Sequence, residues 1–346
     1  MDAIRSMFPH QRNSIRLYNH NVHLVTLSLD QDILYFLCLY SLCRWNLESK
    51  KYKKLVDLPS QLETSRTAVL DNSSLMLAAH DGGLYCLDFD GDKANFHGNI
   101  TLLPVEYVNS FNISPDGRFA IVETYQQGTS QGGIGRNLRL WKLQPLEFLC
   151  VLLGHERSVY GAARFTPDGS QVITTGQTSN DHGHFRSEQN RYRIWSTADG
   201  SCLSSFGGPR HWRFGEPMNR EPWDRLTSHC MDISQDGRFG LFETVNGLAV
   251  VELLTWNIVQ EYATGAVWIR DARFSANETR IFALGKNQVF YVWNRASGEI
   301  ERLFGGYCDY SDNFIVTADD ESYITTHGNG GYGAWIYRHP LFREEL

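Results

Sequence analysis

Residues 154–176, GHERSVYGAARFTPDGSQVITTG, decide how the rest of the chain reads. A Gly-His turn opens the stretch, an alternating small and apolar segment follows, PDG makes a tight turn, and β-branched residues carry the chain back. Alternation on both sides of such a turn is the pattern of two antiparallel strands. Successive strand side chains face opposite ways, and glycine supplies the backbone conformation that tight turns need. A third strand-like piece, YRIW, ends at Trp195.

Related pieces recur: FNISPDGRFAIVE from Phe111, MDISQDGRFGLFE from Met231 and ARFSANETRIFAL from Ala272. Each sets an apolar residue, a serine and a polar turn ahead of an apolar return. The close of each unit is marked as well, by LCRW at Trp45, LYCL at Leu87, LRLW at Trp141, YRIW at Trp195, LAVV at Val251, FYVW at Trp293 and YGAW at Trp335. The marks repeat about every 42 residues, with about a dozen residues added in three consecutive units.

Such a unit resembles the WD40 repeat, the four-stranded blade of a propeller. The resemblance implies an all-β chain: a seven-bladed β-propeller of four-stranded antiparallel blades, one domain over residues 1–346. It also implies a buried hydrogen-bonded set made by His155, Thr174 or Thr175, and Trp195. The family's Asp after the Trp is replaced here, as in Trp45-Asn46, Trp141-Lys142, Trp195-Ser196 and Trp293-Asn294, so a looser propeller relative of the kind found in some enzymes stays open. The family closes its ring by lending an N-terminal strand to the last blade, which hides an otherwise unpaired edge. Residues 13–20, NSIRLYNH, fit that task; the tail after Trp335 is the other candidate, and the sequence does not rank the two.

Strands that alternate in direction leave their connections on only two faces of the disc. Residues 126–137 and 176–190 fall between second and third strands of consecutive units, and residues 207–226, GGPRHWRFGEPMNREPWDRL, join an outer strand to the next inner one. All three insertions are therefore expected on one face of blades three to five. Connections beyond about 12–15 residues are uncommon in compact domains unless they are functional or disordered.

From His182 to Arg225 the chain has seven arginines and no lysine against five acids, within a protein of net charge -7. The overall charge disfavours nucleic acid and anionic membrane, so a local basic surface would recognise acidic or phosphorylated groups on a protein or peptide. Guanidinium grips carboxylate or phosphate through paired hydrogen bonds, and Trp and Arg dominate binding hot spots. The expected partner-binding residues are Arg186, Arg210, His211, Trp212, Arg213, Phe214, Arg220, Trp223 and Arg225. The competing reading folds the same rings back onto the disc as a structural cap.

His182 and His184, with His211 on the next insertion, are weak candidates for a metal or small-molecule site near the axial opening, the alternative in which the propeller is an enzyme or ligand-binding protein. No HExxH occurs and no GxSxG reads as a nucleophile elbow, the GTSQG of residues 128–132 falling within an insertion; the glycines of HGNGGYG, residues 327–333, read as turn residues. The expectation is a non-enzymatic scaffold in a multi-protein complex, with no cofactor. Its apolar runs are too short to cross a membrane as a helix; the longest, residues 33–40, has eight residues where about 20 are needed. MDAIRSMFPHQR at the start lacks the features of a secretory signal. Seven cysteines scattered singly suggest reduced, buried thiols, hence a cytoplasmic or nuclear setting.

Overall fold

The computed structural model describes residues 14–340 except 18–21, 29–31, 39–40, 60–61, 72–73, 80–82, 91, 102–105, 127–135, 144, 154–156, 178–189, 208–225, 245, 266–267, 288, 305–313, 318, 320–321 and 330–332. The regular structure among them is entirely strand, in seven four-stranded antiparallel sheets arranged as a β-propeller.

Strand β1 (Ser14–Leu17) comes first in the chain but belongs to the last sheet. Blade one is β2 (Val22–Leu27), β3 (Ile33–Cys38), β4 (Ser41–Asn46) and β5 (Tyr52–Asp57). Blade two is β6 (Leu62–Asp71), β7 (Ser74–Ala79), β8 (Gly83–Asp90) and β9 (Lys93–Thr101). Blade three is β10 (Glu106–Ile113), β11 (Phe119–Gln126), β12 (Arg136–Leu143) and β13 (Leu146–Val151). Blade four is β14 (Arg157–Phe165), β15 (Gln171–Gln177), β16 (Asn190–Ser196) and β17 (Cys202–Gly207). Blade five is β18 (Leu226–Ile233), β19 (Phe239–Thr244), β20 (Gly247–Glu252) and β21 (Asn257–Ala263). Blade six is β22 (Ile269–Phe274), β23 (Arg280–Gly285), β24 (Phe290–Asn294) and β25 (Ile300–Phe304). Blade seven is β26 (Phe314–Val316), β27 (Ser322–Asn329) and β28 (Gly333–Pro340), with β1 added outside β28.

The pairing of Ile15 with Ile336 and Arg16 with Trp335 makes the N-terminal strand the outer strand of blade seven. Both chain ends thus contribute to one blade, and blade seven lies against β2 of blade one. The apolar core sits between blades. Leu34, Phe36 and Trp45 pack with Ile324 and Ile336 across the closure, and Phe290 stacks on Tyr323 at 4.0 Å between blades six and seven. Each blade buries both faces, which is why strands such as Phe239–Thr244 read as nearly continuous apolar runs.

One local device recurs at the turn between first and second strands. The hydroxyls of Ser28, Ser114, Thr166, Ser234, Ser275 and Thr317 each accept the N–H five residues on, at 2.9–3.1 Å. Ser114, Thr166, Ser234 and Thr317 donate to the Asp two residues on, and Ser275 does the same to Asn277. The turn then passes through the left-handed region at Gly117, Gly169 and Gly237, with φ near +70°. In blade six Glu278 takes that place at φ 57°, a conformation that costs a side-chain-bearing residue about 1–2 kcal/mol. The motif S/T-x-D/N is legible in the sequence because these short polar side chains stand in for missing backbone partners.

Two readings of the sequence change. In blade seven Tyr323 pairs with His339, as Val172 pairs with Trp195 in blade four, so the residue equivalent to the closing Trp is His339. Trp335 lies four positions earlier; its spacing matches the period, but the register set by the Thr317 turn does not select it. The thiols are not uniformly buried either. Cys43 and Cys230 are buried, Cys38, Cys86 and Cys150 are half-buried, and Cys202 is exposed because its position on outer strand β17 faces solvent.

Candidate functional site

Antiparallel alternation puts the turns between first and second and between third and fourth strands on one edge of every blade. The other two kinds of connection lie on the opposite edge. The long connections leave from that second edge: from Gln126 to Arg136, from Gln177 to Asn190, and from Gly207 to Leu226. Their feet are paired strand ends, Tyr125 with Arg136, Gln177 with Asn190, and Arg191 with Gly207. Residues Arg186, Arg210, His211, Trp212, Arg213, Phe214, Arg220, Trp223 and Arg225, together with His155, His182 and His184, lie outside the described residues. Among the described residues no group of three or more His, Cys, Asp or Glu side chains could hold a metal ion.

Beneath those feet blade four is built on two faces. Val172, Thr174 and Trp195 face blade three, and the Trp195 indole N–H donates to Thr174 Oγ1 at 2.7 Å in the buried interior. Ile173, Tyr192 and Ile194 face blade five. Thr175, next to Thr174 and so on this opposite side, is fully buried, and its hydroxyl has no hydrogen-bond partner among the described residues. Arg193 is already engaged, donating to the Leu153 carbonyl at 2.8 Å and lying 5.6 Å over the Trp195 ring.

The longest connection rises from an aromatic cluster. Phe206, near its start, meets Trp256 with ring centroids 4.7 Å apart and the rings tilted by 33°; Trp256 also meets Tyr192 and Phe242, and Leu226 at the far end is buried in the same cluster. Trp256 holds φ 58° in a hairpin position where blades four and six place Gly200 and Gly298. Full burial of the ring offsets that backbone cost, since an aromatic of this size is worth several kcal/mol in a core. The described residues on either side of this connection, Phe206 and Leu226, are therefore both anchored in the packed interface of blades four and five.

Around the inner strands, blades are joined by polar side chains two residues before the turn Ser or Thr. Asn112 donates to the Ala163 carbonyl at 2.9 Å, Arg164 donates to the Met231 carbonyl at 2.9 Å, and Asp232 accepts the Phe274 N–H at 2.8 Å. Burial pushes the Asp232 carboxyl above its ordinary range, against the opposing pull of Arg273. Arg273 is held more strongly protonated, first by Asp271, 3.3 Å away. A second link sits at the end of the second strand, where buried Glu243 accepts the Ile269 N–H of the next blade at 2.6 Å. Sequence reading passed over these residues, although the acid closing AIVE and GLFE is a visible break in an apolar strand.

Another residue missed in the sequence lies on the insertion edge itself. Trp268, just before β22, is 53% exposed, and Lys286 from the neighbouring connection stands 5.5 Å over its ring. The Lys286 N–H also donates to the Trp268 carbonyl at 2.7 Å. A lone Trp in GAVWIR reads as core until the register puts it at a strand head. Exposed aromatic surface beside a cation is a recurrent element of protein-binding surfaces.

Residues 146–183 match the sequence model of the family described as WD domain, G-beta repeat, a span that covers β13 to β15 and their connections. A search of curated proteins finds no match to the chain.

Proposed function

We propose that the chain, a β-propeller of seven four-stranded blades whose residues 146–183 match the WD40-repeat model, is a non-enzymatic WD40-like scaffold whose insertion face, on blades three to five, binds an acidic or phosphorylated protein or peptide. The WD40-propeller fold supports a role in protein interaction in general. The finer reading rests on one observation: three long connections spring from the same edge of three consecutive blades, and the longest of them carries an arginine-rich, tryptophan-bearing sequence, with Arg186 on the connection before it. Arg186, Arg210, Arg213, Arg220 and Arg225 pair with the partner's anionic groups, and Trp212, Phe214 and Trp223 supply apolar anchorage. Trp268 with Lys286 extends the same surface onto blade six.

The test replaces residues 207–226 by a four-residue turn, with Trp268→Ala as a milder second variant, and compares the partners each recovers with those of the unaltered chain. Loss of partners by a folded variant, together with weakening of capture as ionic strength rises, is the expected result. Retention of every partner by both folded variants rejects the insertion face as the binding surface.

A further inference from the structure

A cavity of about 580 Å³ opens between blades five and six on the short-turn edge, away from the insertions. Phe239, Val250, Val259 and Tyr262 of blade five form its apolar wall, and Glu278 and Ala296 of blade six face them. The size falls within the few-hundred to about 1,000 Å³ typical of binding pockets.

Cross-blade bonds hold the walls in place. The Tyr262 hydroxyl donates to the Arg295 carbonyl at 2.9 Å, and Gln235 Nε2 donates to the Ala276 carbonyl at 2.7 Å. The Gln235 N–H donates to the Glu278 carboxylate. Arg295 lies 5.1 Å from the Phe239 ring and 4.8 Å from the Phe274 ring, and its guanidinium donates to Glu278 Oε2 at 2.7 Å. The opening is thus preformed, which lowers the ordering cost of binding.

Charge and hydrogen bonding define what fits. The Glu278–Arg295 pair cancels its own charge, and the remaining polar lining, Gln260, Thr279 and Asn294, is neutral, so a charged occupant would find no unpaired counter-ion in the cleft. Glu278 is the residue that replaces a turn glycine and keeps a left-handed backbone, and its carboxylate is what neutralises Arg295 in the wall. Val259 is the extra residue of a bulge, unpaired between the Val250–Gln260 and Val251–Ile258 pairs, and is 56% exposed. The adjacent Gln260 carboxamide lines the cavity and has no side-chain hydrogen-bond partner among the described residues, leaving both a donor and an acceptor to offer.

We propose that this cleft is a second binding site, which takes an uncharged peptide segment of a protein partner. A bulky apolar side chain fills the space between Phe239, Val250 and Val259, and an adjoining peptide group exchanges hydrogen bonds with the Gln260 carboxamide.

The experiment pans a phage-displayed random heptapeptide library against the full chain. Enriched peptides are then resynthesised and titrated against wild type, Ala296→Trp, Val259→Glu and a chain with residues 207–226 shortened. Both point substitutions fall at exposed positions, and equal thermal midpoints confirm that each folds. The expected result is a family of uncharged sequences sharing one Leu, Met, Phe or Trp, bound at least tenfold more weakly by both cleft variants and equally well by the shortened chain. No enrichment, enrichment of charged motifs, binding unaffected by the cleft variants, or loss only with the shortened chain each overturns the proposal.

Discussion

The Trp195 indole N–H donates to Thr174 Oγ1 across 2.7 Å, with both residues buried between blades three and four. Trp293 occupies the same strand position in blade six and is equally buried, yet its indole N–H has no hydrogen-bond partner among the described residues. The reason is local: the residue two places beyond its paired Ile281 is Ala283, where blade four has Thr174. Both rings bury similar area, so Trp195→Phe and Trp293→Phe differ mainly by one buried bond. Trp195→Phe is expected to destabilise by about 1–2 kcal/mol more than Trp293→Phe. Urea unfolding of both variants checks this, and equal losses would remove the hydrogen bond from the account of blade stability.

The glycines of the short turns separate backbone strain from collision. At Gly117, φ +68°, an added Cβ meets nothing within 4 Å, so Gly117→Ala should cost only the left-handed penalty of about 1–2 kcal/mol. At Gly247, φ +148°, the added atom would strike the Tyr262 carbonyl oxygen and lie 2.9 Å from the Thr264 nitrogen. Gly247→Ala is expected to cost on the order of 3–4 kcal/mol, because strain and overpacking combine. Denaturation midpoints that ranked the two in the opposite order would contradict the register of β20 on β21.

Glu278 offers a third comparison. Glu278→Gly relieves the backbone while losing the ion pair with Arg295; Glu278→Ala loses the pair and keeps the strain. The glycine variant should therefore be the more stable of the two by about 1 kcal/mol. Calorimetry on the pair decides it, and no difference would mean that the turn relaxes when the carboxylate is gone.

Two aspartates respond to acid with opposite sign. The Thr166 hydroxyl, then Ser170, holds the Asp168 carboxyl below its ordinary range, so its stabilisation is present above the usual carboxylate pKa and is lost as pH falls through the depressed folded value. Burial raises Asp232, so the folded state takes up the proton first, and this group's contribution improves as pH falls from the raised value toward the ordinary one. Unfolding free energies between pH 7 and pH 3 should show the deficit of Asp168→Asn closing in acid. Asp232→Asn, which retains an acceptor for the Phe274 N–H, should lead the wild type near neutrality and lose that lead on acidification. Parallel profiles for the two variants would refute the assignment.

Thiol reactivity follows exposure. Burial pushes the Cys43 thiol to about 12 and raises Cys230 further, whereas Cys202 is exposed on an outer strand. Brief iodoacetamide treatment of the native protein should label Cys202 well ahead of Cys43 and Cys230, because the thiolate is the reactive form. Peptide mass mapping reads the order directly. Early labelling of Cys230 would show that the interface of blades four and five opens readily.

The turn residues were legible before any coordinates. Ser114-x-Asp116, Thr166-x-Asp168 and Ser234-x-Asp236 act within six residues, so the hydrogen bonds that define these turns are local and write themselves into the sequence. Insertion lengths were legible for the same reason, since they are intervals between such landmarks. Trp335 misled because spacing alone cannot distinguish a residue paired with Tyr323 from one four positions earlier.

The sequence by itself determined the strands, their turns, the repeat and the basic, aromatic character of the insertions, all of which depend on near neighbours in the chain. Only the tertiary structure decided that Trp268 is exposed beside Lys286, that Asp232 receives the Phe274 N–H, and that Gln260 faces a cavity walled by blade six. Those relations join residues from different blades or fix which way a side chain points. They depend on the lateral packing and register of whole sheets, which no short stretch of sequence records.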